Sequence, residues 1–268
     1  MHLQNQSYSL THLRFFITIL MVFVFFSSAI ANFTDSKKDT TKTGTLPYFK
    51  SYVYDGVDFL TFYRSWTPSE WAVFSGIAIG GTVSSFYDRD INSYVRRSQN
   101  NYFDAASKYF FDPVGGYKLF GGLILYTSIA YGTGHTVRQE TGLNAIKAGM
   151  ISTAAFMTLK NVIQRPRPYV NKGYPTKTVF FERDFQSFPS GHASNAFAVA
   201  AVFSDSYKDN YKAVPYISYG LAGLIAFSRV YNQEHYLSDV LAGATLGYIV
   251  GKTVARKNNW FFGDISLF

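Results

Sequence analysis

A histidine stands in a turn of small residues directly before an apolar run. Residues 188–195 are Phe-Pro-Ser-Gly-His-Ala-Ser-Asn, and residues 196–203 are apolar. Small residues leave backbone N–H groups accessible, and the N-terminus of a helix favours a bound anion. His192 beside such a site could protonate whatever leaves the anion. This chemistry requires that the rest of the chain supply cations and a nucleophile.

A second stretch, residues 160–168, combines three cations with two prolines. Its sequence is KNVIQRPRP, in which Lys160, Arg165 and Arg167 precede or alternate with the prolines. Proline ends a helix and favours an extended chain, so the three cations are predicted at one helix end. A solvated basic cap of that helix is the more ordinary interpretation of such a cluster. A rigid backbone would, however, also hold guanidinium groups for bidentate contact with a phosphate.

The third stretch, residues 228–239, places a histidine and an aspartate four residues apart. Its sequence is SRVYNQEHYLSD, and the spacing predicts His235 and Asp239 on one face of a helix. An aspartate against one imidazole nitrogen leaves the other nitrogen to act as base or nucleophile. A helix-capping histidine with an i,i+4 partner is the alternative. His135 has no such partner and is predicted to be a loop residue.

Together these stretches resemble the motifs of the type 2 phosphatidic acid phosphatase superfamily, which also includes the vanadium haloperoxidases. The family pattern is K-x6-R-P, then P-S-G-H, then S-R-x5-H-x3-D. This chain matches it in order with Lys160, Arg167-Pro168, Pro189-Ser190-Gly191-His192, Ser228-Arg229, His235 and Asp239. Three degenerate motifs in the correct order are far more specific than any one of them.

The resemblance implies a role for each matched residue. His235 is expected to attack phosphorus and form a phosphohistidine, with Asp239 orienting it. His192 is expected to protonate the leaving group and then to activate water. The groups expected to hold the phosphate oxygens belong to Lys160, Arg167, Ser190, Gly191 and Arg229. No metal and no cofactor is expected, because three cations take the role that Mg²⁺ has elsewhere. Arg165 lies outside the pattern and is expected to contact the substrate or only the surface.

Six apolar segments must position these residues. None shows the alternation typical of strands, and the sequence has no internal repeat. The segments lie at approximately 68–87, 116–131, 142–160, 193–204, 214–230 and 235–255. We therefore expect an all-α fold, a bundle of about six core helices like the acid phosphatases and vanadium haloperoxidases, over residues 68–257.

The N-terminal segment has the pattern of an export signal. Residues 1–14 contain Arg14 and no acid, residues 15–26 are largely apolar, and Ala29 and Ala31 fit a cleavage site. We expect a signal peptide over residues 1–31, an exposed linker with an aromatic-rich segment over 32–67, and a C-terminal tail over 258–268. An uncleaved signal anchor is the alternative.

Composition limits the partners. The net charge of +8 favours anionic partners such as phosphates or anionic lipids. No nucleic-acid-binding motif is present, so nucleic acid is not an expected partner. The chain has no cysteine, which excludes disulfides and thiolate catalysis. Its 26 Phe and 21 Tyr suit a helical core or a surface that faces a membrane.

These features predict a metal-independent phosphatase of the cell envelope, exported and membrane-associated, with its site facing the periplasm. Three crossings after an export signal would carry Lys160 to the cytoplasmic side. Either one of the first three segments does not cross, or the bundle is a periplasmic domain that rests on a membrane, or residues 1–31 are not an export signal. The sequence is equally compatible with phosphatidate, phosphatidylglycerophosphate, polyprenyl diphosphate, lipid A type phosphates and small phosphoesters as substrates. The alternatives are a vanadate-dependent haloperoxidase, a soluble periplasmic non-specific acid phosphatase and a non-catalytic lipid-binding envelope protein.

Overall fold

The computed structural model describes residues 66–170 and 181–257. The predicted signal peptide, residues 32–65 of the predicted linker segment and the predicted C-terminal tail lie outside the described residues. Contacts divide the chain into two units, Met1–Ala72 with Asp264–Phe268, and Val73–Gly263. Of the first unit, the structure describes residues 66–72, where Thr67 and Glu70 form a reciprocal capping box at a helix start.

The described residues are helical and contain no strand, which confirms the predicted all-α fold. Six long helices and two short ones follow one another along the chain. They are α1 Pro68–Arg97, α2 Asn101–Ala106, α3 Asp112–Gly115, α4 Tyr117–Gly132, α5 Thr136–Ile163, α6 Gly191–Tyr207, α7 Ala213–Tyr231 and α8 Leu237–Lys257. A π-helical turn, Ser107–Phe111, joins α2 to α3, and a 3-10 turn, Arg183–Phe185, lies before α6.

Several helix boundaries differ from the predicted ones, and three of these differences involve residues discussed below. Helix α1 continues ten residues beyond the predicted end at 87. This last part contains polar residues that are buried, among them Asp88 and Asn92, so it does not stand out in the sequence as an apolar segment. Helix α5 begins at Thr136 rather than 142, directly after His135, which lies in the predicted loop. Helix α8 begins at Leu237 rather than 235, so the expectation that His235 lies on a helix is wrong.

Helix α6 lies at the centre of the bundle, against α5, α7 and α8. Its interior is made of small side chains, since buried alanines recur along its length at positions 193, 196, 198, 200 and 201. Small side chains on a central helix let its neighbours approach closely. Helix α6 is therefore the element against which the ends of the surrounding helices are aligned.

A stripe of glycines on α8 brings its backbone against α6. The stripe has a four-residue spacing and consists of Gly243, Gly247 and Gly251, opposite Ser190, Ser194 and Ala198. A Cβ atom at any of the three glycines would overlap the carbonyl oxygen of the residue that it faces. Because the pairing runs in parallel, the N-termini of α6 and α8 lie at the same end of the bundle.

Large apolar side chains face outward on several helices, among them α1, α4 and α7. On α4 these are Ile124, Leu125, Ile129 and Tyr131, and on α7 they are Tyr216, Ile217, Leu221, Leu224 and Phe227. Among the described residues, α7 is the one helix long and apolar enough to cross a membrane by length and composition. A third of its most apolar 18-residue window is buried inside the protein.

Replacing Gly247 by Ala is expected to destabilise the bundle. Alanine in a helix interior normally gains about 1 kcal/mol over glycine. Here the added Cβ meets the Ser194 carbonyl oxygen, and overpacking of this kind costs about 1–3 kcal/mol. Thermal unfolding in detergent, followed by circular dichroism, measures the loss.

Gly220→Ala is the matched control. Gly220 lies in the interior of α7, and a Cβ there meets nothing within 4 Å. We expect this variant to unfold at the wild-type temperature or slightly above it. Equal stability of the two variants would contradict the close contact between α6 and α8.

Candidate active site

The predicted site residues lie at helix ends and in the turns between helices. Lys160 is in the last turn of α5, Arg229 is in the last turn of α7, and Arg167 follows α5. Ser190 occupies the N-cap position of α6 without a side-chain capping bond, and Gly191 begins the helix. The α6 and α8 ends are joined by a hydrogen bond from the Ser190 N–H to the Asp239 carbonyl oxygen, 2.9 Å long. An ion pair between Arg167 and Glu234 joins the first and third motif stretches.

His235 lies in the turn between α7 and α8, and Asp239 lies in the first turn of α8. Both are buried, and 3.8 Å separates Nδ1 of His235 from Oδ2 of Asp239. The same Oδ2 accepts hydrogen bonds from the Tyr236 N–H at 2.9 Å and from the Ser187 hydroxyl at 2.5 Å. Asp239 therefore caps its own helix, and this capping is the reason that α8 starts only after His235.

His192 occupies the first turn of α6, on the more open side of the site. Its Nε2 lies 3.6 Å from Oδ1 of Asp112. The backbone of Gly115 and Gly116 borders its ring so closely that a Cβ at Gly115 would lie 2.7 Å from the imidazole Cδ2. Burial, and then the charges of Lys160 and Arg167, lower the pKa of His192 to about 4. The ligand-free protein therefore holds this imidazole neutral at pH 7.

The same cations act on the buried His235. Burial is the largest cause that lowers the pKa of His235 well below its usual range, and the charge of Lys160 acts in the same direction. The nearby Asp239 carboxylate opposes both. Lys160 and Arg167 thus act on both imidazoles, which shows that all four side chains belong to one cluster.

Two of the cations are buried and engaged with the surrounding chain. Lys160 is 5% exposed and donates to the carbonyl oxygen of Gln186. Burial, and then the neighbouring Arg167, lower the pKa of Lys160 to about 7. Arg167 donates through Nε to the Arg183 carbonyl oxygen at 2.9 Å and forms an ion pair with Glu234.

Two acidic residues that were not predicted lie against the cations. Asp112, at the start of α3, forms an ion pair with Arg229 and faces His192. Glu234 pairs with Arg167 and lies 3.7 Å from Arg229. The carboxylates thus stand where anion-binding side chains converge. Glu234 was visible inside the third motif, whereas nothing in the sequence connected Asp112 to the site.

Several buried polar atoms of this cluster have no hydrogen-bond partner among the described residues. They include Oγ of Ser190, Nε of Arg229 and Nδ1 of His235. Buried polar groups are nearly always paired, so unpaired ones at a cationic pocket indicate a place for a ligand. The hydroxyl and the guanidinium N–H are donors, which an oxyanion would satisfy.

Gly191 and Arg165 have structural roles that the sequence did not indicate. A Cβ at Gly191 would lie 2.8 Å from the ring of Phe156, so glycine lets α6 pack on α5. Arg165 is not at the surface. It is 7% exposed and pairs with Asp88 and Asp239. Over residues 66–170 and 181–257, no group of three His, Asp or Glu side chains is placed to hold a metal ion.

Comparison with known proteins gives a family for this region. Residues 142–262 match the model of the PAP2 superfamily. Lipid A 1-phosphatase of Porphyromonas gingivalis is 39% identical over 78 residues, which are 29% of this chain and 18% of the relative. Phosphatidylglycerophosphatase B of Bacillus subtilis is 35% identical over 99 residues, 34% of this chain and 45% of the relative. The chain thus spans less than half the length of these two curated relatives.

Two solved structures are similar over more of their length. The crystal structure of Aquifex aeolicus LpxE has a TM-score of 0.51 and 26% identity, covering 63% of this chain and 95% of the other. A transmembrane PAP2 type phosphatidylglycerolphosphate phosphatase from Bacillus subtilis has a TM-score of 0.52, with 69% of this chain and 92% of the other covered. At 23% identity, this second likeness shows the fold alone. Residues 142–262 therefore match the PAP2 superfamily, and this match confirms the resemblance inferred from the three motifs.

Proposed function

We propose that the chain is a membrane-associated phosphatase that hydrolyses a lipid phosphate through a phosphohistidine intermediate. The observation that carries the proposal is the convergence of two histidines with Lys160, Arg167 and Arg229 around unpaired buried donors. The similarity to two relatives, lipid A 1-phosphatase and phosphatidylglycerophosphatase B, supports a lipid substrate.

In the first step, Nε2 of His235 attacks phosphorus while the bond from phosphorus to the leaving oxygen breaks. His192 gives its proton to that oxygen, so the product leaves as an alcohol. Lys160, Arg167 and Arg229 stabilise the charge that accumulates on the three equatorial oxygens. Asp239 stabilises the His235 ring as it acquires positive charge.

In the second step, water attacks phosphorus and the bond between phosphorus and His235 breaks. His192, now neutral, accepts the proton of the attacking water and is ready for another cycle. The pKa of His192, about 4 without ligand because of burial and neighbouring cations, must rise when substrate binds. A phosphate dianion supplies the needed negative charge beside the ring.

The outward apolar side chains of α4 and α7 support membrane association. Exposed apolar faces are typical of a contact with lipid or with another protein, and α7 meets the length and composition of a membrane-crossing helix. A lipid substrate would then reach the site with its acyl chains still in the membrane. The predicted export signal favours a site that faces the periplasm.

Replacing His235 by Ala is expected to abolish turnover and the phosphoenzyme, because no nucleophile remains. Phosphate release by the purified protein is measured on phosphatidate, phosphatidylglycerophosphate and a lipid A type phosphate in mixed micelles containing EDTA. Acid-labile phosphoprotein is measured after rapid quenching with radiolabelled substrate. EDTA is expected to change nothing, since side chains carry the charge.

His135→Ala is the control, because His135 is exposed before α5. This variant is expected to keep wild-type turnover. The proposed function is wrong if the wild type releases phosphate from none of the lipids. The proposed nucleophile is wrong if His235→Ala remains active.

The pH dependence is expected to report on Lys160. Its pKa, lowered to about 7 mainly by burial, means that the charge is present below pH 7 and lost as the pH rises through 7. Phosphate binding, and with it kcat/KM, should therefore decline above about pH 7. Lys160→Arg keeps its charge at any working pH, so the alkaline decline should move upward by at least about one pH unit.

Lys208→Arg, after the far end of α6, is the control and should leave the profile unchanged. Ionisation of the substrate is common to all three proteins, so it cannot produce a difference between them. An unshifted decline in Lys160→Arg would show that another group sets it.

Removing the charge of Glu234 is expected to strengthen anion binding. Its carboxylate pairs with Arg167 in the ligand-free protein and must give way to phosphate. In Glu234→Gln, competitive inhibition by vanadate should tighten several-fold, because the competent state is more populated. Glu182→Gln, at an exposed acid nearby, should leave the vanadate constant unchanged. Weaker inhibition in Glu234→Gln would mean that Glu234 positions the arginines instead.

A further inference from the structure

A buried ion-pair network lies behind the proposed nucleophile, on the side away from the phosphate. Arg165 donates through Nη1 to Oδ1 of Asp239 at 2.6 Å and through Nη2 to Oδ2 of Asp88 at 2.8 Å. Ser238 joins Asp88 to Arg165, since its backbone N–H donates to Asp88 at 3.1 Å and its hydroxyl accepts from Arg165 at 2.8 Å. All four residues are buried.

The local backbone explains why Arg165 enters this network rather than the phosphate pocket. Gln164 ends α5 in the left-handed conformation, with φ 50° and ψ 44°, and Pro166 prevents a return to helix. The Arg165 guanidinium lies 4.3 Å from the centre of the Tyr236 ring, which covers its face. Arg167, only two residues later, pairs with Glu234 instead.

The network determines how the Asp239 carboxylate can be oriented. Oδ1 is held by Arg165, while Oδ2 accepts from Ser187 and from the Tyr236 N–H. Oδ2 is also the oxygen that faces Nδ1 of His235, at 3.8 Å. Rotation of the carboxylate would break all three bonds, so the oxygen that faces the imidazole stays the same.

The proposal that follows rests on the proposed function. We propose that Arg165, anchored by Asp88 of α1, is a positioning residue for the nucleophile: it holds the Asp239 carboxylate so that Oδ2 is directed at Nδ1 of His235. Asp88 fixes the far side of the guanidinium and thereby ties α1 to the catalytic turn. Neither residue touches the phosphate.

The charge of Arg165 has a second consequence. Burial alone would raise the pKa of Asp239, but Arg165 and the His235 contact together hold it well below its usual range. The charged and titratable groups around this carboxylate belong to Arg165 after α5, Lys160 in α5, Asp88 in α1, and His235 and Tyr236 before α8. Without Arg165, the carboxylate would take up a proton at a higher pH and no longer stabilise the phosphorylated imidazole.

The test replaces Arg165 by Gln and measures kcat against pH together with vanadate inhibition. We expect kcat to fall by roughly 100-fold, the cost of a small misplacement of a reacting group. The acid-side decline should move upward by at least about one pH unit, because an opposite charge that lowered the pKa of Asp239 is gone. The vanadate inhibition constant should stay within about threefold, since Arg165 lies outside the pocket.

Arg167→Gln is the matched control, the same substitution two residues along the chain. It should weaken vanadate binding by more than Arg165→Gln does. Because Arg167 also lowers the pKa of both imidazoles, the comparison between the two variants uses the vanadate constant and not the pH profile. Arg165→Lys retains the charge, so its pH profile should match the wild type and its kcat should exceed that of Arg165→Gln. Asp88→Asn removes only the anchor, and kcat should fall without an upward shift of the acid-side decline.

Circular dichroism and thermal unfolding show whether each variant folds. If Arg165→Gln does not fold, Arg165→Lys and Asp88→Asn decide the question through the same measurements. The proposal is overturned if a folded Arg165→Gln loses activity equally at every pH, or if it weakens vanadate binding as much as Arg167→Gln does. It is also overturned if Asp88→Asn keeps the wild-type kcat. An inactive wild type would instead contradict the proposed function.

Discussion

The Asp239 carboxylate is the group at which the three motif stretches meet. It receives a guanidinium from the stretch after α5, a hydroxyl from Ser187 before α6 and a backbone N–H from its own turn. A buried carboxylate is costly unless it is paired and hydrogen-bonded. The folded state can therefore hold Asp239 only when all three stretches are in place, and this condition couples formation of the site to folding of the bundle.

The parallel packing of α6 on α8 makes that meeting possible. Three glycines on α8 let its backbone touch the α6 backbone. At the N-terminal ends of the two helices, the Ser190 N–H donates to the Asp239 carbonyl oxygen. A larger residue would separate the helix ends by the width of a side chain. The distance between the turn of His192 and the turn of His235 thus depends on the three glycines of α8, which are not among the residues expected to bind phosphate.

Much of this arrangement follows from local sequence, and the rest depends on distant pairs. The six helices and the grouping of Lys160, Arg167 and the two histidines at helix ends could be predicted, because apolar periodicity and the motifs are local signals. The position of His235 could not, since the spacing to Asp239 suits a helix equally well and only the cap excludes it. The glycine spacing was visible in the sequence, but its partner helix was not. Asp88 and Asp112 pair with arginines 77 and 117 residues away along the chain, as the numbering gives, and a single sequence does not encode which pairs meet.

The two sides of the site differ in rigidity, and the division suits two-step chemistry. On the side of His235, both His235 and Asp239 are buried among ion pairs and close backbone contacts. In the proposed reaction the attacking nitrogen would therefore keep its direction in both steps. On the opposite side of the site, His192 faces Asp112, whose side chain is 43% exposed. Asp112 is the first residue after the π-helical turn. An exposed carboxylate is displaced by an arriving phosphate at little cost, because water replaces its lost partners. In the proposed reaction the alcohol leaves and water enters beside His192, so the side that must exchange ligands is the one whose contacts are weakest.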